Sequence, residues 1–579
     1  MNKYKVMDAN EAVSKVAYKF NEVVGIYPIT PASPMAEKID KMATDGEKNF
    51  FGNTVKVVEM ESEKGAVAMV HGALQSGMLS STFTASQGLL LMVPTLYKLA
   101  GELLPGVIHV AARSLSTHSL SIFGDHQDIY AARATGVCML SSSSVEEAYH
   151  MAMVAHLSSI KSSLPFIHFF DGFRTSHELD KVKEIDLSKI ETLIDKKALQ
   201  SFRDRRLNNE KPNTRGTAEN DDIYFQHTES RNKYYENAIN NVEEYLNKIN
   251  RITKKDYKLF NYYGDKNATS IIIAMGSVCE CIRETIDYLN NNGYKVGLVK
   301  VHLFRPFSIK HLLEVIPSTV KNIAVLDRTK EAGSSGEPLY LDVVNALKDT
   351  NIKVIGGRYG LSSKNTTPSM IKAVYDNLNH EKKNNFTIGI NDDVTNLSLD
   401  YDKDFKINNN AYEMLIYGYG SDGMVSTSKD ILKVLGEQTT KNVQGYFQYD
   451  SKKSGGVTRS HLRFSDKEIK STYYIENPDF IVISKDTYMY KYDILDNIKN
   501  KGVLFLNTNL DVEKLKISLP NKVKYLLAEK QIKLYIIDAY SIANNLGLKN
   551  KINTCMEVCI LKIMNLLDIN KAISIMKKK

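Results

Sequence analysis

The sequence predicts an α/β protein of three layered domains with mainly parallel sheets. Short β-branched runs alternate with amphipathic helical stretches, strand-to-helix turns are rich in Gly, Pro, Ser and Thr, and two long polar segments divide the chain. At 579 residues the chain is too long for one hydrophobic core. With 43% hydrophobic and 25% charged residues its composition is that of a folded globular protein.

Taken in order, residues 8–20 read as an amphipathic helix capped by Asp8, and 24–27 and 55–58 as strands. A small-residue helix over 62–75, a strand over 81–85 and a helix over 89–99 containing Pro94 follow. Strands are predicted at 107–111 and 166–169. Residues 186–263 turn polar, carry a charge-rich helix at 232–254, and read as a wrapping segment. A second α/β unit opens with strand 270–274 and a helix to 289, followed by strands 296–301 and 322–326. After the polar stretch 377–410, strand 412–417 opens a third unit. The expected domains are 1–258, 259–407 and 408–579.

Lys and Arg total 75 against 67 Asp and Glu, a diluted excess of +8 that does not suggest nucleic-acid binding. Apolar runs such as 89–93 fall short of the roughly 20 residues a bilayer span needs, so no membrane partner and a cytoplasmic location are expected. Cys138, Cys279, Cys281, Cys555 and Cys559 are odd in number and lack cluster spacing, which points to a reducing compartment and to no metal site.

Seven segments carry candidate chemistry. Tyr27-Pro28-Ile29-Thr30-Pro31-Ala32-Ser33-Pro34 is a stiff turn at a strand end, either a ligand-facing loop or a helix cap at Ser33. Glu59, Glu61 and Glu63 are three carboxylates at alternate positions entering a helix, either capping charge or a partner for a cofactor ring nitrogen. Thr82-Phe83-Thr84-Ala85-Ser86-Gln87-Gly88 sets hydroxyls and an amide at another such turn, and Arg113 ends a strand where it could clamp a carboxylate. Phe123-Gly124-Asp125-His126-Gln127-Asp128 and the segment from His168 to Glu178 mix His and Asp without a ligand spacing, which favours buried hydrogen-bonded histidines. Gly418-Tyr419-Gly420-Ser421-Asp422-Gly423, a G-x-G-x-x-G between a strand and a helix predicted at 428–435, suits nucleotide phosphates. The following Ser451-Lys452-Lys453-Ser454-Gly455-Gly456 favours a phosphorylated ligand over NAD.

Together, Y-P-I-T-P, E-x-E-K-G-A, T-F-T-A-S-Q-G-L, F-G-D-H-Q-D, H-F-F-D-G-F-R-T-S-H and Y-D-S-K-K-S-G-G resemble pyruvate:ferredoxin (flavodoxin) oxidoreductase, in that family's order along the chain. The resemblance implies a thiamine-diphosphate-binding, pyrimidine-type first domain, a transketolase-C-terminal-like second and a coenzyme A-binding third. It implies that Glu63 contacts the aminopyrimidine of thiamine diphosphate and that Thr30 and Arg113 bind pyruvate. Coenzyme A contacts map onto Ser421, Asp422, Gly423, Met424, Val425, Lys453 and Asn553. The activity implied is oxidative decarboxylation of pyruvate to acetyl-CoA and CO2, electrons passing to ferredoxin or flavodoxin in a homo-oligomeric enzyme. The family's Mg²⁺ and diphosphate motif and its [4Fe-4S] cluster motifs do not occur in these residues, so a partner polypeptide carrying them is expected. The competing readings are an inactive binding remnant of the same fold, another 2-oxoacid oxidoreductase subunit, and a nicotinamide-dependent dehydrogenase built on the 418–423 loop.

Overall fold

The computed structural model describes residues 4–420, 422–449, 456–549 and 551–577. Two compact units emerge: residues 8–177 with 185–407, and residues 1–7 and 178–184 with 408–579.

The larger unit holds two sheets. In the first, seven strands run in the order Leu303–Arg305, Cys138–Ser142, Phe166–Asp171, Val107–Ala112, Ser80–Thr84, Val23–Ile26 and Lys56–Glu59. All pair in parallel except the edge strand Leu303–Arg305. Of its central strands, Val23–Ile26, Val107–Ala112 and Phe166–Asp171 are buried on both faces, so they show no inside-outside alternation, with only His109, His168 and Asp171 breaking the apolar runs. From Val23–Ile26 the chain steps outward to Lys56–Glu59, then returns to the other side of its starting strand to form Ser80–Thr84. That reversal opens a crevice beyond the carboxyl ends of the strands, where open α/β sheets bind ligands.

The helices follow their capping signals. Asp8 caps Ala9–Phe20 by accepting from Glu11 N at 2.8 Å, and Ser62 caps Glu63–Gln75 by accepting from Gly65 N at 3.1 Å. Helix Ser33–Thr44 takes Ala32 rather than Ser33 as its N-cap, because Ser33 and Ala32 both already donate backbone N–H groups to the Ile29 carbonyl. Helix Gln87–Gly101 continues through Pro94.

The second sheet has the order Phe386–Thr387, Lys353–Arg358, Asn322–Asp327, Ser270–Ala274, Val296–Val301 and Phe260–Gly264, antiparallel only at the last pair. The polar segment before it is structured. Asn232–Thr253 is a helix that buries Ala238, Val242, Tyr245, Leu246 and Ile249 and packs along Val145–Ser162.

Two buried ionic clusters tie these sheets together. Asp171, at the end of its strand, meets Arg328 Nη1 at 2.7 Å, His126 Nε2 at 2.6 Å and Ser277 N at 2.9 Å. Burial opposes its ionisation, but the Arg328 and His126 charges outweigh that and hold the carboxyl below the usual range. Lys300 Nζ reaches Glu147 at 2.9 Å and Glu280 at 2.8 Å, and His302 Nε2 lies 3.0 Å from Glu147. Burial would neutralise Glu280, yet Lys300 and Arg283 bring it down to about 2.

The smaller unit is one eight-stranded sheet, in the order Tyr4–Met7, Leu179–Lys183, Asn442–Gln448, Val457–Ser465, Tyr412–Tyr419, Phe480–Ile483, Val503–Asn507 and Lys533–Ile537. Pairing is antiparallel as far as Tyr412–Tyr419 and parallel beyond it. Its first two strands come from within the expected 1–258 domain; they are short, and their backbone groups find partners at the open edge beside Asn442–Gln448. Cys555 and Cys559, half-buried on helix Asn553–Met564, pack against the apolar cluster beneath that sheet.

Candidate functional site

In the larger unit the site residues stand where strands of the first sheet hand over to loops and helices. The three carboxylates, equivalent in sequence, are not equivalent in space. Glu59 and Glu61 are exposed, whereas Glu63, the first residue of its helix, is 8% exposed. The Glu63 carboxylate accepts no hydrogen bond from any described residue. It faces Gly88 in the first turn of the neighbouring helix Gln87–Gly101. A Cβ at Gly88 would lie 2.6 Å from Thr84 Oγ1, 2.8 Å from Glu63 Cγ and 2.9 Å from Glu63 Oε1. Thr84 is fully buried and its hydroxyl has no hydrogen-bond partner among the described residues. A largely buried carboxylate without a protein partner and an orphaned buried hydroxyl thus pack closely on either side of Gly88.

Arg113 follows strand Val107–Ala112 and is 8% exposed. Its Nη1 donates to the Thr30 carbonyl at 2.7 Å and its Nε to the Ser121 carbonyl at 3.3 Å. Burial lowers its pKa, with Asp128 opposing the shift. Backbone carbonyls steer the guanidinium, and Nη2 makes no hydrogen bond to a described residue. Thr30 itself is exposed, on a turn whose Pro31 packs against Gly172. The structure thus brings Thr30 and Arg113 into contact, and sets Glu63 with Gly88 and Thr84.

The two His/Asp segments do other work. His126 and Asp171 belong to the inter-sheet cluster described above. His168 joins a buried chain in which His109 Nδ1 lies 3.0 Å from His168 Nδ1 and His109 Nε2 lies 3.1 Å from His156 Nε2. His168 Nε2 ends the chain, 2.9 Å from Ser142 Oγ. Burial brings both His156 and His168 down to about 3, so these imidazoles are neutral. No group of three or more His, Cys, Asp or Glu side chains disposed to hold a metal ion occurs among the described residues.

Asp128 and Ser86 lie in two of the candidate segments, but sequence reasoning assigned neither a role of its own. Asp128 is fully buried, and burial brings its carboxyl up to about 7 against the hydrogen bonds it accepts from the Arg113 and Ser86 N–H groups. A carboxylate followed directly by Ile129-Tyr130-Ala131-Ala132 was the available signal.

In the smaller unit the glycine loop joins strand Tyr412–Tyr419 to helix Met424–Gln438. The helix starts four residues before the expected 428 because Gly423, at φ +82°, serves as its cap. Asp422 shapes the loop: it accepts from Tyr419 N and Ser484 Oγ, both at 2.6 Å, and from Met424 N at 2.9 Å. A Cβ at Gly423 would lie 2.9 Å from Asn553 Cβ, and Thr427 Oγ1 donates to the Asn553 carbonyl at 3.2 Å. Asn553 opens helix Asn553–Met564, so the first turns of two helices, including Met424 and Val425, meet there. Ser421 and Lys453 lie outside the described residues.

Three family models match the chain. Residues 15–247 match the thiamine diphosphate-binding domain of pyruvate flavodoxin/ferredoxin oxidoreductase, 268–371 match pyruvate:ferredoxin oxidoreductase core domain II, and 413–579 match pyruvate ferredoxin/flavodoxin oxidoreductase. The chain is 50% identical over 577 residues to the pyruvate:ferredoxin oxidoreductase of Moorella thermoacetica, covering 99% of this chain and 49% of that protein. It is also 50% identical over 581 residues to the pyruvate-flavodoxin oxidoreductase of Enterobacter agglomerans, covering 100% and 50%. Among solved structures, the 2-oxoglutarate:ferredoxin oxidoreductase of Magnetococcus marinus matches with a TM-score of 0.49 and 19% identity, over 65% of this chain and 66% of that one. The chain belongs to the pyruvate:ferredoxin/flavodoxin oxidoreductase family. It spans about half the length of the curated relatives it matches. No helix among the described residues is long and apolar enough to cross a membrane.

Proposed function

We propose that this chain binds pyruvate, coenzyme A and the pyrimidine half of thiamine diphosphate in an enzyme that decarboxylates pyruvate oxidatively to acetyl-CoA and CO2, passing electrons to ferredoxin or flavodoxin. The observation that carries the reading is Glu63, a largely buried carboxylate without a protein partner, beside the orphaned Thr84 hydroxyl and packed closely on Gly88. These residues fit an aminopyrimidine: a ring nitrogen and an exocyclic amine would satisfy the groups the protein leaves unsatisfied. Bound there, thiamine diphosphate would supply the electron sink that decarboxylation of a 2-oxoacid needs.

The remaining work falls to the chain's own groups. With the cofactor bound, the Glu63 carboxylate would share a proton with the ring nitrogen. Arg113, steered by two carbonyls, offers its remaining N–H groups to the pyruvate carboxylate, and Thr30 lines the same turn. In the 408–579 domain the loop around Gly423 and the first turns of two helices, Asn553 among their residues, would offer backbone N–H groups to coenzyme A phosphates; Ser421 and Lys453 are assigned to the same ligand from the sequence alone. The division into 1–258, 259–407 and 408–579 assigns pyrimidine binding, a transketolase-C-terminal-like role and coenzyme A binding respectively. Because the relatives are about twice as long, the diphosphate and Mg²⁺ grip and the iron–sulfur clusters are assigned to parts of the enzyme outside these 579 residues.

The test is pyruvate- and coenzyme A-dependent viologen reduction by the complete enzyme. Glu63→Gln should lower turnover by roughly 10²-fold or more, and Glu59→Gln and Glu61→Gln by less than about 3-fold. Equal losses from all three would make them a structural charge cluster and defeat the reading.

A further inference from the structure

We infer that Asp128 is a positioning residue for this site, holding the backbone of two neighbouring strand ends so that Arg113 and Gly88, against Glu63, keep their places. The inference rests on the function proposed above. It starts from two residues that proposal did not use, Asp128 and Ser86.

Asp128 sits on the short helix Gln127–Ala132, with no exposed surface. One carboxylate oxygen, Oδ2, accepts from two backbone donors on different loops: Ser86 N at 2.7 Å and Arg113 N at 3.0 Å. The other accepts from Ile129 N at 2.8 Å. An oxygen that bonds two N–H groups at once, in a place where no water competes, holds both donors in position. The carboxylate therefore clamps the turn after Ser80–Thr84 to the turn after Val107–Ala112.

What it clamps is strained. Ser86 has φ +54° and ψ −133°, a conformation that glycine adopts freely and an L-residue does not. Its hydroxyl lies 2.5 Å from the Ser114 carbonyl, a second tie between the same two turns. Such a conformation is costly and persists only where surrounding bonds over-determine it. The consequence runs in both directions along the chain. Two residues beyond Ser86 stands Gly88, against Glu63 and Thr84; at the other end of the clamp stands Arg113, whose guanidinium spans to Thr30. Asp128 touches neither cofactor nor substrate in this account and acts through the backbone of residues that do.

The replacement Asp128→Asn keeps size and shape but turns one acceptor oxygen into a donor facing a backbone N–H, which the clamp cannot accommodate. In the complete enzyme it should raise the pyruvate KM by about 10-fold and lower kcat by about 10-fold, while the coenzyme A KM stays within 2-fold. Adding Ser86→Gly should recover at least 3-fold in kcat, because glycine holds the turn without the carboxylate. Hydrogen exchange should quicken over 80–90 and 107–116 and stay unchanged in 408–579. The inference is overturned if the coenzyme A and pyruvate constants move together, if neither moves, or if Ser86→Gly deepens the loss. It is equally overturned if Asp128→Asn does not fold and Ser86→Gly fails to restore folding, since the carboxylate would then be holding the fold as a whole. Glu63→Gln, assayed alongside, separates the two levels. A silent Glu63→Gln sinks the proposed function whatever Asp128 does, and a crippling Glu63→Gln beside a silent Asp128→Asn sinks the positioning role alone.

Discussion

Gly88→Ala is the sharpest single perturbation of the Glu63 site, because the structure gives the clash in ångströms. The added methyl would stand 2.6 Å from Thr84 Oγ1, 2.8 Å from Glu63 Cγ and 2.9 Å from Glu63 Oε1. Carbon contacts settle at about 3.5–4.0 Å, so the Glu63 side chain must retreat by roughly 0.7–1.2 Å. A displacement of that size at a catalytic group costs on the order of 10²-fold in rate. Stability should change little. Alanine in place of a helical glycine contributes up to about 1 kcal/mol, while overpacking costs about 1–3 kcal/mol. The assay pairs pyruvate-dependent viologen reduction by the complete enzyme with thermal unfolding of the same preparation. Gly72→Ala is the matched control: it lies on the exposed face of the Glu63 helix with nothing within 4 Å, and should keep activity within 2-fold. Full activity in Gly88→Ala, or a loss matched by an equal fall in melting temperature, would refute the geometry argued for Glu63.

Lys300→Met should destabilise the chain by about 3–5 kcal/mol in denaturant unfolding, since it leaves Glu147 and Glu280 buried without their shared cation; adding Glu147→Gln and Glu280→Gln should restore much of the loss. His156→Leu leaves His109 Nε2 without its partner, so at pH 7.5 it should be less stable by about 1–3 kcal/mol. That deficit should shrink by about 2 kcal/mol at pH 5: the folded pKa of His156 is depressed to about 3, so its stabilising contribution is lost as pH falls below the unfolded value near 6.5. A pH-independent deficit would mean that His156 is not neutral in the fold. In calorimetry on the full chain, Gly423→Ala should weaken coenzyme A binding by at least 10-fold, since alanine is strained at φ +82° and its methyl meets Asn553. Lys453→Ala should weaken it in a salt-dependent way, and tight NADH binding indifferent to either change would restore the dehydrogenase reading.

Much of the fold can be read locally. The strand Ser270–Ala274 matches its expected limits because a strand buried on both faces reads as an almost continuous apolar run, and Val296–Val301 does so although it carries Lys300. Helix starts at Asp8 and Ser62 are equally plain, since capping is a bond between residues three apart. Thr30 and Arg113 stood out at strand-end turns marked by proline and hydroxyl residues, whereas Glu63 among its three neighbouring carboxylates, and Asn553, were singled out only by the family resemblance.

Other features depend on partners far along the chain. Residues 4–7 and 179–183 have nothing in their own pattern to say that they pair beside Asn442–Gln448. Among Glu59, Glu61 and Glu63, alternation marks all three, and only the packing of Gln87–Gly101 against the start of the next helix buries one of them. Asp128 looked like one more acid in a mixed His/Asp segment until two loops, 42 and 15 residues away, were seen to donate to a single oxygen. Periodicity, capping and turn chemistry act over a few residues and are written in the sequence. Burial and shared hydrogen bonds arise when distant segments are brought together, and they chose which of several like residues could serve the site.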